Sequence, residues 1–272
     1  MPTKKPKAAI LWLPGKNRYR ESEWSLKHVG FEVEHVFMND LLSKKKSVLE
    51  YSLIFDIGGF GFGDYNFAGS LAGKYFLHPN VKSEMERFVD EGRLFLGVCN
   101  GFQDLTVAGL ISTAKKPFGE VNLALYDTDA GRFMDYPVSL DNVNRGKCIW
   151  TRGIDDVLLM HMDNGEGKLV TKGYYRNDIA VLKKLRNNDQ VVFTYVTPER
   201  KMLGKRQSNL RADPTGSVDH IAGICNYKGN VLGMMPHPET TNPLSDPLWT
   251  RDGARKEPSG LILFRNAYEY VK

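Results

Sequence analysis

Along the first 110 positions the chain alternates between short apolar runs and stretches with a helical period. Ala8 to Leu13 is an apolar run of strand length stopped by Pro14-Gly15, and Asn17 to Val29 places Trp24, Leu26 and Val29 on one helical face. Phe31 to Val36 alternates apolar with polar, a half-buried strand, and Leu53 to Ile57 is another apolar run. Helices are expected over Phe67–Phe76 and Val81–Glu91, the second with Gly92 as its C-cap, followed by a strand at Leu94–Val98. A helix over Asn100–Leu110 then carries Phe102, Leu105, Val107, Ala108 and Leu110. Strands alternating with helices predict an α/β fold with a mostly parallel central sheet flanked by helices.

Beyond that point the rhythm changes. Val121–Tyr126, Pro137–Val143, Val157–Met160 and Leu169–Thr171 read as short strands separated by turns, which predicts antiparallel additions to the sheet. A helix is expected over Asn177–Leu185, a strand over Gln190–Val196, and a hairpin from Ile221–Asn226 and Val231–Met235 around Lys228-Gly229-Asn230. Thr197 to Ser217 is a long polar stretch rich in Arg and Lys, and loops of that length are uncommon unless they are functional or disordered. The last helix starts near Ser259 with Leu261, Phe264, Ala267, Tyr268 and Val271 on its apolar face. With no internal repeat or low-complexity linker, residues 1–272 are expected to form a single domain.

Composition narrows the class. At 272 residues, 42% hydrophobic and 25% charged, the chain has the make-up of a globular protein able to bury a sizeable core. Basic residues exceed acidic ones by 37 to 32, but they are scattered in short groups such as Lys44-Lys45-Lys46, without the aromatic interleaving of a nucleic-acid surface. Cys99, Cys148 and Cys225 are an odd number at wide spacings, which suits a reducing compartment better than a disulfide framework. No C-x-x-C or H-E-x-x-H metal motif occurs, and the opening residues run into a strand too short for a signal sequence or membrane span. A cytoplasmic protein binding neither nucleic acid nor membrane is expected.

One stretch gathers the chemistry. In Gly97-Val98-Cys99-Asn100-Gly101 a strand ends, the chain turns sharply and a helix begins, with a thiol at the joint. G-x-C-x-G is the cysteine counterpart of the serine nucleophile elbow. A cysteine at a helix N-terminus faces unpaired N–H groups and the positive end of the helix dipole, which favour the thiolate. Cys225, between apolar positions and without a second glycine, reads as core.

A nucleophilic thiol needs a base and a group to orient it. His237 lies just past a strand end between Pro236 and Pro238, with Glu239 two residues on to hold its tautomer. Gly58-Gly59-Phe60 can supply a backbone N–H for an oxyanion, with the Asn100 N–H as its partner. The spacing of Gly59, Gly61 and Gly63 is G-x-G-x-G, and neither G-x-G-x-x-G nor G-x-x-x-x-G-K-[ST] is present, so a dinucleotide or ATP site is poorly supported.

These residues resemble the class I glutamine amidotransferases, which pair a G-x-C-x-G elbow with a late H-x-E. Within that family the strings Gly58–Tyr65, Cys99-Asn100-Gly101-Phe102-Gln103, Ile221–Asn226 and Met234-Met235-Pro236-His237-Pro238-Glu239 are most similar to the glutaminase subunits of phosphoribosylformylglycinamidine synthases. The resemblance implies L-glutamine hydrolysis by a Cys99–His237–Glu239 triad through a thioester. Gly59 and Asn100 would hold the oxyanion, and Gln103 would join them in substrate binding. It further implies ammonia transfer to a separate ATP-using synthetase subunit in purine biosynthesis, with a small third protein in the complex. No cofactor or metal is expected on this chain; ATP and Mg belong to the synthetase.

Two features depart from the family. The usual Pro-x-Ala-His-Gly-Glu-Gly string appears here as His161-Met162-Asp163-Asn164-Gly165-Glu166-Gly167, so no role for the family histidine carries to Asn164. The Thr197–Ser217 stretch is also longer than that family leads one to expect. A cysteine hydrolase or peptidase of related fold, and a non-catalytic regulatory protein on the same scaffold, are the alternatives.

Overall fold

A computed structural model describes residues 5–171, 177–204, 212–242 and 259–272. Among them the chain runs β1 (Lys7–Trp12), α1 (Tyr19–Val29), β2 (Glu32–Phe37), α2 (Met38–Leu42), β3 (Leu53–Asp56), α3 (Ser70–Phe76), α4 (Pro79–Asp90), β4 (Leu94–Val98) and α5 (Asn100–Val107). It continues through β5 (Leu123–Asp127), β6 (Met134–Asn142), β7 (Leu158–Asn164), β8 (Glu166–Thr171), α6 (Ile179–Asn187) and β9 (Val191–Val196). The hairpin β10 (Ile221–Cys225) and β11 (Val231–Met234) and the final helix α7 (Leu261–Val271) complete it.

Nine strands form one sheet in the order β2-β1-β3-β4-β11-β10-β9-β6-β7, and β5 pairs with β8 in a separate ribbon. The first five in that order run parallel. From β11 outward every pairing is antiparallel, as the change of rhythm in the sequence anticipates. The inner parallel strands read as apolar runs because both their faces are covered: all of β3, β4 and β11 is buried, while the edge strand β2 alternates. A continuous core joins both halves, including Phe55, Phe95, Trp150, Phe193 and Phe264.

The seam between the halves positions the site. β11 lies parallel to β4 with Met234 opposite Val98, so the residues just past both strands emerge side by side at the same sheet edge. In parallel sheets that edge, beyond the carboxyl ends, is where ligands bind.

Local chemistry explains the element ends. His78 caps α4 by accepting from the Asn80 N–H, Pro79 occupies its first position, and Gly92 follows its end with a positive φ. Asp178 caps α6 by accepting from the N–H groups of Ala180 and Val181. β7 runs four residues further than the apolar pattern suggests, to Asn164, because pairing with β6 extends it through polar positions. Of the Thr197–Ser217 stretch, 205–211 lie outside the described residues. The remainder includes a turn where Asp213 accepts from Thr215 and Gly216. Among the described residues no helix is long and apolar enough to cross a membrane.

Candidate active site

Cys99 occupies the turn between β4 and α5 at φ 52°, ψ −110°, a sparsely populated conformation that costs on the order of 1–3 kcal/mol. Surrounding contacts enforce it. The Cys99 N–H donates to the Met234 carbonyl at 2.8 Å, tying the elbow to the end of β11. A Cβ on Gly101 would come within 2.0 Å of the Asp56 carbonyl oxygen, and one on Gly97 within 2.7 Å of the Gly101 carbonyl oxygen. The two glycines of the motif are therefore required by backbone crowding.

The glycine-rich segment after β3 closes over the elbow. Gly59, at φ 122°, bridges to Lys16, with Asn17 N–H donating to the Gly58 carbonyl and Phe60 N–H to that of Gly15. These bonds flank Gly59 and leave its own N–H out of the bridge. The Asn100 N–H belongs to the first residue of α5, whose N–H groups have no partner within the helix. The Asn100 side chain serves the scaffold: Oδ1 accepts from the Gly61 N–H at 3.0 Å, and Nδ2 donates to Asp64 and Gln103. Gln103 in turn donates to the Glu166 carbonyl at 2.8 Å.

Beneath the elbow Lys16 reaches Asp56 at 2.9 Å and Asp104 at 2.6 Å, all three side chains fully shielded from water. Burial opposes the Lys16 charge, but Asp104 and Asp56 outweigh it and raise its pKa. Burial also raises Asp104 well above the usual carboxylate range, helped by the neighbouring Asp56 charge and opposed by Lys16. The cluster locks the loop after β1, the end of β3 and helix α5 together. Sequence reading missed it because its members lie up to 88 positions apart.

His237 and Glu239 follow β11. The His237 Nδ1 and Glu239 Oε1 are 2.6 Å apart and both side chains are essentially inaccessible. The His237 N–H donates to the His161 carbonyl at 2.7 Å, so the middle of β7 holds the backbone of the histidine. On the other ring nitrogen lies a residue that the sequence did not single out: Asp163 Oδ1 is 2.5 Å from Nε2. Burial alone lowers the His237 pKa, but Glu239 and then Asp163 overcome it and raise it well above the usual imidazole range. Burial likewise pushes Asp163 up, while His237 and Arg18 hold it well below its ordinary value.

Cys99 Sγ, an Asp163 carboxylate oxygen and a His237 ring nitrogen lie within 4.8 Å of one another. The pocket beside them holds about 100 Å³ and is lined by Gly59, Asp64, Gln103, Asp163, Asn164 and Glu166, among others. Burial and the nearby Glu166 push Asp64 up to about 6. Asn164 is buried with both amide atoms unpartnered. Cys225, the last residue of β10, is wholly buried in the core as expected. A thiol at a helix start, an adjoining imidazole oriented by a carboxylate and two backbone N–H groups are the parts of an acyl-transfer centre that proceeds through a thioester.

Comparisons with known proteins agree with this chemistry. Residues 5–271 match the model of the CobB/CobQ-like glutamine amidotransferase domain. Among curated relatives, the phosphoribosylformylglycinamidine synthase subunit PurQ of Picrophilus torridus is 37% identical, covering 86% of each chain. Its counterpart from Dehalococcoides mccartyi is 33% identical over 98% of each chain. Among solved structures, one chain of PurLQS from Thermotoga maritima superposes with a TM-score of 0.71 at 26% identity, covering 99% of this chain and 100% of that one. The glutaminase domain of Trypanosoma brucei CTPS shares the fold at a TM-score of 0.55 and 14% identity. The chain therefore belongs to the CobB/CobQ-like glutamine amidotransferase family, as a PurQ-like member of it.

Proposed function

We propose that the chain is the glutaminase subunit of a phosphoribosylformylglycinamidine synthase. The observation that carries this reading is the meeting of Cys99, His237 and Glu239 at one sheet edge, in a chain related over nearly its full length to PurQ subunits. Cys99 attacks the side-chain amide of glutamine, the Gly59 and Asn100 N–H groups receive the charge on the carbonyl oxygen, and the His237 imidazolium gives its proton to departing ammonia. Water then cleaves the thioester with His237 as base. Glu239 keeps the ring oriented throughout, and Gln103 lines the substrate pocket.

Ammonia passes to a synthetase subunit that binds ATP and Mg, with a small assembly subunit in the same complex, and the chain itself carries no cofactor. The Thermotoga maritima PurLQS assembly supports partners of this kind. On this reading the protein works in the cytoplasm.

Cys99→Ala in the reconstituted complex tests the reading. Glutamine-dependent amidine formation is expected to vanish while ammonia-dependent formation survives; persistence of the glutamine reaction would remove Cys99 from its role. Ammonia release that ignored the synthetase and its substrates would favour a stand-alone hydrolase.

A further inference from the structure

Proton transfer between Cys99 and His237 requires the Nε2 of the imidazole, because Nδ1 is committed to Glu239. A carboxylate crowds that nitrogen beside the thiol, at 2.5 Å from Asp163 Oδ1. The thiol is also turned toward the same residue: Sγ lies 3.7 Å from the Asp163 backbone carbonyl, as donor to it. One residue thus holds both members of the dyad. Its grip on Nε2 is one of charge rather than of a directed bond, since no acceptor lies in line with that nitrogen.

Asp163 has a second counter-ion. The Arg18 guanidinium contacts its other oxygen, Oδ2, from the start of α1, and Glu21 lies 3.9 Å from the same guanidinium. Arg18 is held there by a left-handed backbone at φ 65°. If Oδ1 leaves His237, the carboxylate keeps an ion pair, so release does not strand a half-buried charge. The ionisable groups facing His237 are Cys99 from the elbow, Asp163 from β7, Glu239 from its own turn, and Arg18 with Glu21 from α1.

We propose that Asp163 is a positioning residue for the reaction: it competes with Cys99 for the Nε2 of His237, and Arg18 draws it aside to free the dyad. This rests on the glutaminase reading for its consequence in turnover, but not for the contact itself. Removing the Asp163 charge frees Nε2 and weakens the hold on the imidazolium proton, so His237 loses that proton at lower pH. Removing Arg18 leaves His237 as the principal partner of Asp163 and strengthens the competition.

The test uses Asp163→Asn, Asp163→Ala, Arg18→Ala and the Arg18→Ala/Asp163→Asn pair in the full chain, alone and with the synthetase. The kcat and KM for glutamine are measured against pH, and His237 is titrated by imidazole nitrogen NMR. The Asp163 variants are expected to raise kcat by about 10-fold with little change in KM, and to move the alkaline limb and the His237 titration to lower pH. Arg18→Ala is expected to lower kcat, and to have no effect when Asp163 is already Asn. An unchanged or lower kcat in both Asp163 variants, an unmoved His237 titration, or an Arg18 effect that persists in the double variant would overturn the proposal. Iodoacetamide alkylation of Cys99 separates the two readings. Were glutamine never hydrolysed, the glutaminase assignment would fail, while the alkylation rates and the His237 titration would still decide the Asp163 contact.

Discussion

The Lys16 ammonium stands 2.6 Å from the Asp104 carboxylate directly under the Cys99 turn, with neither side chain reaching water. Asp56 completes the cluster from the end of β3. Lys16→Met leaves two carboxylates buried without a cation, which costs about 3–5 kcal/mol for a broken buried pair. Thermal melts are expected to show the largest deficit at neutral pH and a smaller one toward acid. The sign follows from Lys16, which opposes the upward shift of Asp104: without it the folded pKa of Asp104 rises further, so the variant keeps most of its stability while that carboxyl is protonated and loses it as pH rises through the folded pKa.

Glu239→Gln keeps the shape of the His237 partner and removes its charge. The imidazolium loses its largest stabiliser, and the amide is free to select the wrong tautomer. A fall in glutamine-dependent kcat of roughly 10²–10⁴-fold is expected, with ammonia-dependent synthesis in the complex unaffected. Steady-state kinetics with each nitrogen source checks it.

The Asp64 carboxyl titrates at about 6 beside Glu166 in the pocket wall. Above that pH it is negative and attracts the ammonium group of glutamine; below it the attraction is lost. KM for glutamine is expected to rise as pH falls through 6 while kcat follows the triad, and Asp64→Asn should give a high KM with that step absent. A pH series of KM in both proteins separates the two contributions.

Gly59→Ala introduces a Cβ 2.7 Å from the Gly15 carbonyl oxygen and the Asn17 nitrogen at a φ of 122°. The strand bridge must open, carrying the Gly59 N–H off the position proposed for it as an oxyanion donor. Loss of one such donor lowers kcat by about 10²–10³-fold. Ammonia-dependent turnover is expected to survive, and crystallography of the variant would show the loop displaced.

How much was legible in the sequence depended on how local each cause was. The inner parallel strands are apolar runs, and β3, β4 and the hairpin of β10 and β11 emerge within two residues of their expected ends. Cys99, His237 and Glu239 stand in short strings whose glycines and prolines are set by crowding and stiffness, so they too could be read. The departure at 161–167 drew attention to Asn164, yet the neighbouring Asp163 makes the contact with His237. Alternation along β7 gives no hint of this, because the strand's polar end is fixed by pairing with β6 and by the bond to His237. The Lys16–Asp56–Asp104 cluster was equally hidden: a lysine after Pro-Gly and an aspartate in a helix look solvent-facing until the fold brings them together.

The bond from the His237 N–H to the His161 carbonyl has a mechanical side. β7 lies at the outer edge of the sheet, four strands from β11, yet it returns to grip the backbone of His237. Phe133, just before β6, is half exposed and meets Phe60 above the pocket. One antiparallel pair, β6 and β7, thus joins the aromatic rim of the pocket to the backbone of His237, although neither strand pairs with the parallel half of the sheet.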